Sequence, residues 1–80
     1  MKYIVIELQT TGTNTANIVT TYDVREQADS AYYAVLSAAA ISSVPVHSVI
    51  LITEEGYPLM NGHYTHEQPV IENEQTEQPI

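Results

Sequence analysis

The chain has 80 residues, no cysteine, ten acidic residues against two basic ones, and a formal net charge of -8. That length allows one domain with a modest core, and the missing thiols exclude a disulfide framework and the cysteine-based zinc modules. Nucleic acids and anionic membranes are held by Lys and Arg clusters, so Lys2 and Arg25 alone exclude direct binding to either. The acidic surface either keeps the chain soluble, the favoured reading, or suits a basic protein partner.

The first apolar run, Tyr3 to Ile6, is interrupted by Glu7, far short of a signal-peptide core. No stretch approaches the roughly 20 apolar residues that span a membrane. The expected location is the cytoplasm.

Residues 3–9 (YIVIELQ) are rich in β-branched and aromatic residues and predict a first strand. Ile4, Ile6 and Leu8 fall on one face, and Tyr3, Val5 and Glu7 on the other. Gly12 and Asn14 mark a turn over residues 10–16, and residues 17–22 (NIVTTY) predict a second strand paired as a hairpin. A helix is predicted from Val24 to Ser42. Asp23 is its expected N-cap, with Glu26 completing a capping box. Val24, Ala28, Ala31, Tyr32, Val35 and Ala39 form an apolar stripe, with Glu26, Asp29, Ser30, Tyr33 and Ser37 opposite. Pro45 closes the helical region.

Residues 46–53 (VHSVILIT) predict the most apolar strand. A turn at Glu54-Glu55-Gly56 leads to a fourth strand over residues 57–66, which Pro58 assigns to a sheet edge. Asn61-Gly62 reads as a bulge within that strand or as an extra hairpin turn, and the bulge is favoured because a second hairpin leaves arms that are too short. Residues 67–80 hold four Glu, three Gln and two Pro with no aromatic residue, the composition of a disordered acidic tail.

The domain at 1–66 is therefore α+β, in the order β-β-α-β-β. A right-handed crossover through the helix gives a mainly antiparallel sheet of order 2-1-3-4 with the helix on one face. The apolar strands are then central, and the Thr-rich and Pro-containing strands are edges. Both faces of the central strands are apolar, yet one helix shields only one. Large uncovered apolar patches are rare on monomers, so the second face is expected to meet another copy, sheet to sheet. The contact residues expected there are Tyr3, Val5, Val49 and Leu51, with Tyr33 as an added anchor among acids on the outer face of the helix.

No catalytic or cofactor-binding constellation stands out. His63 and His66, followed by Glu67, resemble metal ligands, but residues three apart in a strand point to opposite faces. His47 lies within the third strand and reads as a partly buried, hydrogen-bonded histidine. Glu54 and Glu55 flank a turn that offers no cleft for paired-carboxylate chemistry.

The segments MKYIVIELQT, ANIVTTYD, AAAISSVPVHS and ILITEEGY resemble small proteins of unassigned function carried by prophages and integrative mobile elements of gut Firmicutes. The resemblance spans roughly residues 1–66 and transfers no site. It implies a bacterial mobile-element setting. Three functions are expected from these features. The first is a non-enzymatic interaction module, homodimeric, which inhibits a basic host protein or mimics DNA toward it. The second is a small-ligand binder with its pocket at the dimer interface, lined by Tyr3, Val49 and Leu51. The third is a structural subunit of a larger assembly.

Overall fold

The computed structural model describes residues 1–66, and the acidic tail expected at 67–80 lies outside the described residues. The elements run β1 (Tyr3–Thr11), β2 (Asn14–Tyr22), α1 (Arg25–Ala40), β3 (Val46–Thr53) and β4 (Pro58–Thr65). They form a four-stranded sheet of order β2-β1-β3-β4 with every neighbouring pair antiparallel, and α1 packs across one face. This is the expected α+β architecture.

The first hairpin is tighter than the sequence suggests. β1 and β2 pair without a break from Tyr3–Tyr22 to Thr11–Asn14, which leaves Gly12 and Thr13 as a two-residue loop. Gly12 has φ of +62°, the positive value that both favoured hairpin turns require at their first central position. The second hairpin closes with the Gly56 amide bonded to the Thr53 carbonyl at 2.8 Å, and Gly56 turns left-handed with φ of +85°.

The helix starts later than predicted. Its N-cap is Val24, whose side chain bonds to no helix amide, and Asp23 does not cap. Lys2 extends β1 opposite Asp23 and captures its carboxylate in an ion pair. Val24 is consequently exposed rather than part of the apolar stripe. The stripe otherwise holds: Ala28, Tyr32 and Ala39 are buried, while Ala31, Val35 and Leu36 are half-buried.

β4 is one strand, as favoured, but its irregularity is not at Asn61-Gly62. The register shifts between Leu51 and Ile52, which pair with Met60 and Pro58, so Leu59 is the extra residue. Gly62 has a different task. A Cβ there would lie 2.9 Å from Leu36 Cδ1 and 3.0 Å from the Tyr32 hydroxyl, so glycine lets the helix side chains approach the strand.

The core lies between α1 and the face formed by Val5, Val49 and Leu51, which are 4%, 1% and 0% exposed. Tyr3, Tyr22, Leu59 and Met60 pack around it. The expected facing of the sheet is therefore reversed. Tyr3, Val5, Val49 and Leu51 belong to the core beneath the helix, and the face without a helix carries Ile4, Ile6, Leu8, Ile50 and Ile52.

Candidate functional site: the open sheet face

Strand alternation and the pairing register define the open face as four rows, each read from β2 through β1 and β3 to β4. They are Thr21, Ile4, Ile52, Pro58; then Val19, Ile6, Ile50, Asn61; then Asn17, Leu8, Ser48, His63; then Thr15, Thr10, Val46, Thr65. The isoleucines, Leu8 and Val46 are half-buried by their neighbours in the sheet, whereas Val19 is 57% exposed. Among the described residues no element packs over this face.

None of these sixteen positions is Asp, Glu, Lys or Arg. The charges of residues 1–66 lie elsewhere. Glu7 projects to the helix side, Lys2, Asp23 and Glu54 gather just beyond the Ile4 row at one end of the sheet, Arg25 pairs with Asp29 on the helix at 2.8 Å, and Glu55 occupies a turn. The Lys2–Asp23 hydrogen bond raises the lysine pKa and lowers that of the aspartate, and the Asp29 hydrogen bond likewise raises that of Arg25. Both pairs are open to solvent on at least one side, and such pairs add little to stability.

The face is graded. The rows through Ile4 and Ile6 are apolar across the central strands, while the Thr10 end is polar, with the Thr10 and Thr15 hydroxyls 2.9 Å apart. Between them, small Ser48 sits among larger neighbours and leaves a shallow depression of about 410 Å³. Leu8, Val46 and Ile50 supply its apolar wall, and Ser48, Asn61 and His63 its polar groups.

The two suspected metal ligands part company, as strand geometry requires. His63 stands on the open face. His66 turns to the helix side, where its Nε2 lies 2.8 Å from the Ala39 carbonyl oxygen and donates to this acceptor in the last helical turn, which also takes the Ser42 amide at 3.3 Å. Its ring also stacks on Tyr64, with centroids 6.3 Å apart. Among the described residues no group of three or more His, Cys, Asp or Glu side chains gathers as a metal site would require.

His47 is buried beneath the helix with its Nε2 at 2.5 Å from Glu7 Oε2, and Gln9 Nε2 donates to the same oxygen at 3.0 Å. Tyr33 is exposed on the outer side of α1, edge-on to Tyr32, with its hydroxyl 3.6 Å from Met60 Sδ. It lies away from the open face, so it does not extend that surface.

Sequence reasoning found that a second apolar face existed but not which residues form it. The overlooked signal is the Gly12-Thr13 loop, which fixes the parity of the hairpin. No protein-family model matches the chain, and no curated protein or solved structure matches it either. Among the described residues, no helix is long and apolar enough to cross a membrane.

Proposed function

We propose that this is a cytoplasmic, non-enzymatic interaction module that self-associates by packing two open sheet faces together. The observation that carries this is the absence of formal charge from the open face of a chain whose net charge is -8. Charge depletion with an apolar centre is the compositional mark of an interface core. Four strands about 4.8 Å apart and eight residues long at about 3.3 Å each present roughly 500 Å². Two such faces bury about 1,000 Å², the lower bound for a specific interface. Ile6 and Ile50, opposed on the central strands, fall at the middle of the contact.

The mobile-element setting suggests a basic host protein as the heterologous partner, with inhibition or DNA mimicry as the mode. Of the six acids in residues 1–66, Glu7 meets His47, Asp23 meets Lys2 and Asp29 meets Arg25. A basic partner is therefore engaged mainly through the four glutamates of residues 67–80, together with Glu26 and Glu55, since the Glu54 carboxylate already accepts from the Lys2 amide.

Sedimentation equilibrium of the full chain, with and without Ile6→Glu, tests self-association. The wild-type chain is expected to have twice the monomer mass or a higher multiple. Ile6→Glu is expected to reduce the association while retaining the wild-type circular dichroism spectrum. A wild-type chain that stays monomeric at millimolar concentration overturns the proposal.

The depression beside Ser48 supports a second role, as a small-ligand pocket that the partner copy closes. Its volume falls within the range of ligand sites, and it joins an apolar wall to a few convergent polar groups. A thermal-shift screen tests this role, since a ligand held only by the folded dimer raises Tm and a Ser48→Leu substitution abolishes that rise.

A further inference from the structure

The outer edge of β2 is as unusual as the open face. Asn14 to Thr21 are all exposed, and Ile18 is 55% and Val19 57% exposed. Natural sheets blunt their edges with charges, proline, bulges or short strands. β4, the other edge, carries Pro58 and the bulge at Leu59. β2 is nine residues long, pairs with β1 in unbroken register, and contains no proline and no charged residue.

We propose that β2 is a second self-association surface, pairing antiparallel with β2 of another copy about a two-fold axis at Ile18. The two-residue loop makes Thr11–Asn14 a hydrogen-bonded pair, so Asn14, Ala16, Ile18, Thr20 and Tyr22 bond inward to β1. Thr15, Asn17, Val19 and Thr21 then direct their N–H and C=O groups outward. In an antiparallel pair centred on Ile18, Thr15 meets the partner's Thr21 and Asn17 meets the partner's Val19. All four outward residues are satisfied on each copy, and none is left over.

The same register sets Ile18 opposite the partner's Ile18 as a non-hydrogen-bonded pair, in which side chains approach most closely. That contact buries an isoleucine which the helix leaves exposed. It also brings together only uncharged residues, since residues 8–22 contain no Asp, Glu, Lys, Arg or His. A second copy fits this edge because the strand is complementary to itself under a two-fold axis. The edge uses the backbone groups of Thr15, Asn17, Val19 and Thr21, whose side chains border the open face, so a substitution at the centre of that face is needed to separate edge pairing from sheet-to-sheet packing.

Amide hydrogen exchange on the full wild-type chain reads the edge directly. The N–H groups of Thr15, Asn17, Val19 and Thr21 are expected to slow by about tenfold or more as concentration rises. Those of Ala16, Ile18 and Thr20 are protected at every concentration. Asn17→Pro removes one outward donor without touching the β1 ladder, and it is expected to halve the assembly mass. Ile6→Glu, aimed at the open face, is expected to leave the slow exchange at Asn17 and Val19 unchanged. Rapid exchange of the four outward amides at all concentrations overturns the inference, as does their protection by a pairing that Asn17→Pro leaves intact.

Discussion

The imidazole of His47 and the carboxylate of Glu7, forty residues apart in the chain, meet at 2.5 Å between the sheet and its helix. Their side chains are 6% and 17% exposed, and His47 Nδ1 has no hydrogen-bond partner. Glu7 is the acid that interrupts the first apolar run. It stands on the core side of β1, opposite Val49, where an uncompensated carboxylate is costly. His47 and Gln9 compensate it by donating to the same oxygen.

Removing either partner leaves the other desolvated and poorly bonded. Glu7→Ala and His47→Ala are each expected to destabilise the fold by about 1.5–3 kcal/mol. The double substitution is expected to cost clearly less than their sum, with a coupling of about 0.5–3 kcal/mol in a urea-denaturation cycle. Additive costs refute a direct pair.

Gly62 tests the closeness of helix and sheet. Gly62→Ala forces its new methyl against Leu36 Cδ1 and the Tyr32 hydroxyl, and overpacking of this kind costs about 1–3 kcal/mol. Combining it with Leu36→Ala is expected to recover part of that cost, because the nearest clashing atom is gone. A Gly62→Ala chain as stable as wild type shows that α1 sits farther from β4 than described.

Stability is expected to fall at alkaline pH through Tyr32. Burial, with a smaller contribution from neighbouring Tyr33, raises the pKa of its phenol above the usual tyrosine value near 10. The folded state therefore holds this proton more tightly than the unfolded chain. The contribution is complete below the unfolded value and is lost as pH rises through the folded one. Urea midpoints measured across that window should decline, and Tyr32→Phe should flatten the decline. An unchanged slope in the variant places the titrating group elsewhere.

Much of the fold was legible because its signals are local. The runs at Tyr3 and Val46, the stripe of Ala28, Tyr32 and Ala39, and the edge-seeking Pro58 each specify an element or its position without reference to the rest of the chain. Asp23 misled because capping competes with a contact across strands. It has the right chemistry for an N-cap, but Lys2 lies opposite it at the end of the hairpin. Gly62 misled in a similar way. Its use is to admit a helix side chain from twenty-six residues earlier in the chain, which no local pattern records.

The amino-acid sequence alone determined the five elements, their order in the sheet and the existence of two apolar faces. Tertiary structure decided which of those faces the helix covers. With Ile4, Ile6 and Ile50 on one side and Val5, Val49 and Leu51 on the other, hydrophobicity does not choose between them. The choice comes from chirality. A two-residue loop sets which β1 residues bond to β2, and in L-amino acids the direction of a strand residue's N–H is tied to the face its Cβ takes. With the crossover wound in its usual hand, the odd-numbered side chains of β1 go beneath α1 and the even-numbered ones are left for a partner.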